Sequence, residues 1–174
     1  ILRRYQDLMD SCLNSHDMAL LSADAQRGSF NFSRYSTLNM LNCKYIIYGE
    51  QPNQFITNQA AAGPAWFVQE LVSVTSPNEE LANVNEINTR TTAVMDISKF
   101  KAPAFQYDST ATIVNLEHKP NNLKYESQSQ TTGLSVFSEI YYPAGWIATI
   151  DGKETPILRV NYILRALEIP AGKH

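Results

Sequence analysis

The chain has 174 residues, of which 44% are hydrophobic and 18% are charged, and its net charge is -3. These values are typical of a globular protein that is long enough to bury a sizeable core. The Lys and Arg residues are scattered rather than clustered, so we expect no nucleic-acid partner. No apolar run in the sequence approaches the ~20 residues that a membrane-spanning helix needs.

The N-terminal part of the sequence predicts helices followed by a strand. Apolar residues recur at helical spacing over residues 2–13, which predicts a helix, and residues 16–21 predict a further helical turn. Residues 22–33 are rich in Gly, Ser, Asn and Asp and predict a loop. A short helix is expected over residues 33–41, and a buried strand over residues 44–48.

The middle of the sequence predicts two strands that flank a short helix. Residues 49–63 indicate a long surface loop, and residues 65–74 a strand. A helix is expected from Pro77 to about Val84, because proline and acidic residues favour the first turn. A further strand is expected over residues 91–97.

The C-terminal part reads as a series of short strands that follow a linker over residues 103–109. Asp151-Gly152 lies between alternating apolar residues and predicts a tight hairpin turn, because both residues tolerate positive φ. Strands spaced in this way are typical of β-sandwiches. The expected strands are 110–117, 122–129, 134–142, 146–150, 155–160 and 164–169.

The fold class expected from these elements is mainly β, and α+β overall. Residues 1–103 form a helix-containing α+β portion, and residues 104–174 form an antiparallel β-sandwich of the jelly-roll or immunoglobulin-like kind. The alternative is that both portions belong to one continuous domain.

Cysteine and histidine give no sign of a metal site or a cofactor. Cys12 and Cys43 are too few for a disulfide framework, and two buried or half-buried thiols are favoured over a disulfide between them. His16, His118 and His174 lie far apart in the sequence, and none has a second ligand at metal spacing. We therefore expect neither a metal nor a cofactor.

No catalytic residue is expected either. The sequence lacks the phosphate-binding, dinucleotide-binding, zinc-protease and nucleophile-elbow motifs. Glu139 and Asp151 are a candidate acid pair for a glycoside hydrolase, which would need their carboxyls roughly 5–10 Å apart across a cleft. However, the turn role of Asp151 accounts for that residue by itself.

Two arginines in the C-terminal part, Arg159 and Arg165, leave two interpretations open. They form either an anion site or ion pairs with acidic residues on neighbouring strands, and the pairs are favoured. The acidic residues considered as partners are Glu139, Glu154 and Glu168.

The aromatic residues Tyr141, Tyr142 and Trp146 are the candidate carbohydrate-binding residues. Exposed aromatic rings on a β-sandwich can stack on sugar rings. The competing interpretation places Trp146 in the sandwich core, and it is favoured because Trp146, Ala148 and Ile150 share one otherwise small, apolar face. Tyr141 and Tyr142 are adjacent and should point to opposite faces of the sheet.

Residues 133–174 resemble the C-terminal region of the YfhO-like bacterial membrane proteins in their Bacteroidetes form. The resemblance is carried by Val136–Pro143, Gly145-Trp146, Ile150–Gly152, Asn161-Tyr162 and Leu164–Ala166. Upstream stretches that resemble the same proteins are Leu38–Asn42, Lys44–Ile47, Ala65–Val68 and Asn122–Glu126.

This resemblance implies a parent with many membrane helices, similar to glycosyltransferases that use lipid-linked sugars and glycosylate the cell envelope. The chain would lie on the extracytoplasmic, periplasmic face of the cytoplasmic membrane, with the membrane domain of its own parent as a partner and a cell-envelope glycan as a second partner. No catalytic residue carries over, because no segment matches the family's catalytic loop. The absence of an initiator Met and the abrupt end after a turn suggest a piece of a longer chain.

The alternative function is a structural or docking module without a ligand. It predicts an exposed apolar patch around Leu8, Met18 or Leu20, which the membrane domain would cover.

Overall fold

The computed structural model describes residues 2–174. Strands account for 35% and helices for 25% of the chain, so the prediction of a mainly β, α+β protein is confirmed. Within residues 2–174, no helix is both long enough and apolar enough to cross a bilayer. The helices are α1 (Leu2–Leu8), a π-helical segment (Met9–Asp17), α2 (Met18–Arg27), a 3-10 turn (Phe32–Arg34), α3 (Ser36–Met40) and α4 (Pro77–Glu86).

The strands are short in the first half of the chain and longer in the second. They are β1 (Tyr45–Ile47), β2 (Phe55–Thr57), β3 (Ala65–Phe67), β4 (Glu70–Val74), β5 (Thr92–Asp96), β6 (Thr112–Lys119), β7 (Asn122–Ser129), β8 (Gly133–Ile140), β9 (Ala148–Ile150), β10 (Lys153–Thr155), β11 (Leu158–Val160), β12 (Leu164–Ile169) and β13 (Gly172–Lys173).

Two antiparallel sheets dominate the C-terminal part. The inner sheet has the strand order β11-β12-β8-β3, and the outer sheet has the order β13-β7-β6. Strand β3 comes from the N-terminal half of the chain, so the inner sheet combines both halves. Strands β4 and β5 form a parallel pair joined through α4, and β1–β2 and β9–β10 are separate antiparallel hairpins.

The first helical region is longer than predicted. It continues to Arg27, so the loop predicted over residues 22–33 is wrong in its first part. The sequence of α2 is rich in good helix formers, and its polar side chains are satisfied: the Ser22 hydroxyl donates to the carbonyl of Met18. The helix ends at Gly28, whose φ of 68° gives the left-handed C-terminal cap.

The strands between residues 44 and 74 also differ from the prediction. Strand β1 is not buried, because its two-stranded sheet packs on one face only and leaves Tyr45 and Ile47 55% and 76% exposed. The loop predicted over residues 49–63 contains β2. The strand predicted over residues 65–74 is two strands, β3 and β4, which belong to different sheets.

Several local predictions are confirmed. Helix α4 begins at Pro77, where the Ser76 hydroxyl accepts a hydrogen bond from the backbone N–H of Glu79, and it continues two residues past Val84. Strands β7 and β12 have the predicted bounds. Asp151 and Gly152 take φ values of 51° and 79°, as the hairpin requires. Both cysteines are free thiols, Cys12 buried and Cys43 half-buried.

The main hydrophobic core joins the helical region, α4, β5 and the inner sheet. Its fully buried members include Leu8, Val84, Val94, Leu134 and Leu164. Trp66 on β3 is the buried tryptophan of this core, and its indole N–H donates to the carbonyl of Thr89. The core therefore draws on residues from both of the portions that the sequence suggested.

A buried ionic network lies beside this core. The Glu80 carboxylate on α4 is fully buried and accepts hydrogen bonds from Arg159 Nη2 at 3.1 Å, Arg4 Nη1 at 3.4 Å and the backbone N–H of Tyr162 at 3.2 Å. Burial raises the pKa of Glu80, and the charges of Arg159 and Arg4 oppose that rise. The predicted partners Glu139, Glu154 and Glu168 are therefore wrong for Arg159: it pairs with Glu80 of helix α4 and, at 4.0 Å, with Asp96 on the neighbouring strand β5.

The turn between β11 and β12 is held by the same network. Asn161 and Tyr162 both adopt left-handed backbone angles, with φ of 49° and 70°. Asn161 exchanges two hydrogen bonds with Val94 on β5: its backbone N–H donates to the carbonyl of Val94, and its side-chain oxygen accepts from the N–H of Val94. Such angles are costly for residues other than glycine, so these contacts fix the turn.

We expect Glu80→Gln to lower the free energy of unfolding by about 3 kcal/mol, because it leaves the buried Arg159 charge with only the more distant Asp96 carboxylate, at 4.0 Å, as a counter-charge. Denaturant unfolding measures the loss. Glu86→Gln, at an exposed position of the same helix, is the matched control and should leave stability nearly unchanged. Equal effects of the two substitutions would contradict the role assigned to Glu80.

A second carboxylate organises the entry to the C-terminal strands. Asp108 accepts hydrogen bonds from the backbone N–H groups of Gln130 and Thr110, at 2.6 and 2.8 Å, and from the hydroxyls of Thr110 and Ser129. These hydrogen bonds, that from the Gln130 N–H first, lower the pKa of Asp108 to about 2. The ionised carboxylate therefore stabilises the fold above its unfolded pKa, and this stabilisation is lost as the pH falls through the folded pKa.

Asp108→Asn should lower the melting temperature at neutral pH and weaken its pH dependence between about pH 4 and pH 2, the unfolded and folded pKa values of this group. Thermal unfolding across that range tests the prediction. Asp10→Asn, at an exposed helical position, is the control. An unchanged acid profile in the Asp108 variant would rule out the role assigned to this carboxylate.

Candidate functional site

A cleft of about 690 Å³ lies between the inner and outer sheets. One wall is formed by β6 and β7 of the outer sheet and the opposite wall by β8 and β12 of the inner sheet. The segment from Gly145 to Gly152, which includes β9, forms a third side. The two walls meet where the rings of Tyr125 and Phe137 pack edge to face, 5.0 Å apart.

Strand alternation decides which side chains face the cleft. On β12, Arg165, Leu167 and Ile169 line the cleft. Leu164 and Ala166 lie on the opposite face of the strand and are fully buried in the main core. The same alternation places Phe137 and Glu139 of β8, and Leu123, Tyr125 and Ser127 of β7, on the cleft.

Trp146 lies at the cleft and is held against Arg165. The guanidinium carbon of Arg165 is 4.2 Å from the centroid of the indole ring, a cation–π geometry. Arg165 Nε also donates to the carbonyl of Ile140 at 3.0 Å, which fixes the orientation of the guanidinium. Burial lowers the pKa of Arg165, and the charge of Glu139 opposes this effect. Trp146 is half-buried, so part of its ring is accessible.

The favoured assignment of Trp146 to the core is wrong. The core tryptophan is Trp66, and the face shared by Trp146, Ala148 and Ile150 turns towards the cleft. Trp146, Ala148 and Ile150 do share one half-buried face, but a period-2 pattern contains no information on whether the space under that face is open.

Tyr125 brings a polar group to the cleft wall. Its hydroxyl is buried and has no hydrogen-bond partner in the described part of the chain. Burial raises the pKa of Tyr125, and the negative charge of Glu139 adds to the rise. Arg165 and Glu139 therefore present a cation and an anion to one part of the cleft, beside the buried hydroxyl of Tyr125.

The two tyrosines of the candidate carbohydrate site lie elsewhere, just after β8 ends. Tyr141 packs edge to face on Phe100, with ring centroids 5.7 Å apart, and lines a separate depression of about 190 Å³ beside Arg4 and Arg159. Tyr142 is 46% exposed. Tyr141, Tyr142 and Trp146 therefore do not line one common surface.

Gly145 allows the ring of Tyr142 to fold back on the loop. A Cβ at this position would lie 2.6 Å from Tyr142 Cδ1, closer than real side chains approach. The contact sets the path of the loop that delivers Trp146 to the cleft.

The candidate acid pair lacks the setting of a hydrolase site. Glu139 and Asp151 both line the cleft, but the Asp151 side chain is 61% exposed at the hairpin turn, and its carboxylate lies 2.7 Å from His174 Nδ1. That hydrogen bond raises the pKa of His174. A solvent-facing turn residue is not the enclosed acid that glycoside hydrolysis uses, so no catalytic pair is assigned.

Among the described residues, no group of three or more His, Cys, Asp or Glu side chains has a geometry suited to a metal ion. His118 is exposed at the end of β6. The chemistry available at the cleft is therefore binding, through apolar walls, one accessible indole ring and three polar groups.

Sequence reasoning missed most of the cleft. The sequence predicts ion pairs for Arg165, whereas nothing in it marks Leu123, Phe137 and Leu167 as residues of a site. The signal present was the period-2 pattern of β7, β8 and β12, which identifies residues that share a face. This pattern contains no information on the distance between two such faces, and therefore none on the cleft between the sheets.

Comparisons of the chain with protein-family models, with curated proteins and with solved structures found no match.

Proposed function

We propose that this chain is a non-catalytic extracytoplasmic domain of a YfhO-like membrane protein, and that it contacts a glycan at the cleft beside Trp146. The parent would be a multi-spanning protein of the glycosyltransferase type that acts in cell-envelope glycosylation. The domain would lie on the periplasmic face of the cytoplasmic membrane and pack on the membrane domain of its own chain. The sequence run over residues 133–174 supports the family part of this proposal.

The observation that carries the glycan part is the arrangement of Trp146, Arg165, Glu139 and Tyr125. A sugar ring offers an apolar face of C–H groups and a rim of hydroxyls, so a binding site needs an aromatic surface next to hydrogen-bonding side chains. The accessible part of the Trp146 indole supplies the surface. Arg165 supplies a donor and Glu139 an acceptor, while the ring of Tyr125 contributes to the wall beside them.

The non-catalytic part rests on the chemistry of the cleft. Its two acidic residues are a turn aspartate bonded to His174 and a glutamate on β8, and neither is placed as an acid–base pair around a reacting bond. The cleft would then bind a glycan acceptor without reacting with it, and the catalytic site would lie in the membrane domain of the parent.

Titration of the domain with a panel of cell-envelope saccharides should quench or shift the fluorescence of Trp146. Trp146→Ala should weaken binding roughly tenfold, the equivalent of about 1.4 kcal/mol of lost stacking. Tyr107→Ala is the matched control, because this exposed ring lies outside the cleft and away from the Trp146 loop, and it should bind like the parent protein. Amide shifts in NMR spectra identify the contact residues.

The glycan proposal would be contradicted if no saccharide of the panel changed either the tryptophan fluorescence or the amide chemical shifts. Equal losses in the Trp146 and Tyr107 variants would also contradict it, since they would move the contact away from the cleft.

The second candidate function is a docking module without a ligand. The patch predicted around Leu8, Met18 and Leu20 is wrong, because Leu8 is fully buried and Leu20 is half-buried, which leaves only Met18 exposed at 41%. Apolar exposure is instead concentrated on the β1–β2 hairpin. The residues concerned are Tyr45, Ile47, Tyr48 and Phe55, each 45–76% exposed.

If the hairpin docks on the membrane domain of the parent, Ile47→Asp should abolish co-purification of the two parts expressed as separate chains, without lowering the melting temperature of this domain. Trp146→Ala is the control and should leave co-purification intact. Unchanged recovery of the Ile47 variant would exclude the hairpin as the contact.

A further inference from the structure

We infer that the interior of the cleft holds the single apolar chain of an amphiphile, whose uncharged, hydroxyl-bearing head group lies at Arg165 and Glu139. The site for the apolar chain goes beyond the proposed function. The assignment of the head group rests on that function and narrows it to a chain-bearing glycan or a similar neutral polyol.

Apolar side chains make up the larger part of the cleft lining, and the space between them is open to solvent. They belong to neither of the two hydrophobic clusters of the protein, although a β-sandwich normally fills the space between its sheets with such side chains. The wall residues are Ile113, Leu123, Phe137, Ile157, Leu167 and Ile169.

An unfilled apolar space is costly to a fold, because the lining atoms lose their packing partners. At about 690 Å³ the cleft is the size of a small-molecule site rather than a packing defect, since such sites span roughly 300–1,000 Å³. A flexible hydrocarbon chain fits long apolar walls of this kind, whereas a bare sugar would leave its hydroxyls unpaired against them.

The polar groups at the cleft favour a neutral head group. Arg165 and Glu139 carry opposite charges and share the site, so an ionised head group would meet one attractive and one repulsive charge. Hydroxyls can donate to Glu139 and accept from Arg165. His174 and Asp151, which also line the cleft, are already bonded to each other.

Isothermal titration with n-alkyl glucosides of increasing chain length, each below its critical micelle concentration, tests the chain site. Affinity should rise by up to about fourfold per methylene until the cleft is full, and then level off. Leu167→Trp, which fills the cleft, should abolish this dependence. Leu116→Trp, on the exposed face of β6, is the matched control and should preserve it.

Fatty acids and alkylamines of the same chain length test the head group. Each should bind at least tenfold more weakly than the glucoside. Circular dichroism and thermal melting show whether each variant folds. If Leu167→Trp does not fold, Ile113→Trp takes its place.

The outcomes separate the two proposals. Binding of methyl glucoside with no gain from longer chains would overturn the chain site and leave the glycan proposal standing. A chain-length series with no preference among the three head groups would overturn the head-group assignment and count against glycan binding. Equal effects of the Leu167 and Leu116 substitutions would overturn the cleft as the location.

Discussion

The buried pair of Glu80 and Arg159 is the interaction on which the rest of the structure depends. The Glu80 carboxylate gathers α4, the N-terminal helix through Arg4, and the turn after β11 through the N–H of Tyr162. That turn leads into β12, whose alternate residues face the core and the cleft. A buried carboxylate with three donors is satisfied in only one arrangement, so this network sets the position of the inner sheet as well as holding it.

Local chemistry in the sequence was enough to predict much of the fold. The Asp151-Gly152 turn, the start of α4 at Pro77 and the full extents of β7 and β12 follow from turn propensity, capping and period-2 alternation. The predictions failed where tertiary contacts override local signals. The sequence predicts a loop at Asp24, but this residue lies in α2. Its buried carboxylate accepts hydrogen bonds from the Tyr35 hydroxyl and the Asn31 N–H, which stabilise this arrangement.

The candidate site was predicted less well than the fold, because a cleft depends on the distance between sheets. Alternation correctly grouped Trp146 with Ala148 and Ile150, yet the same pattern suits a face that is packed and a face that is open. The partners of the arginines show the same limit: Arg159 meets an acid 79 residues away in sequence, and Arg165 meets the indole ring of Trp146. Such pairings result from the topology of the fold, and the residues that neighbour each arginine in the sequence do not predict them.

The open space between the sheets has a consequence for motion. Strands β6 and β7 bury only Ser127 and Ser129 completely, while Val114 and Leu116 of β6 are more than half exposed. A sheet with so few buried side chains sits at the low end of the local stability scale. Its amide protons should exchange with solvent sooner than those of β8 and β12, and such local opening of the outer sheet would give a bulky guest a way in without unfolding the core.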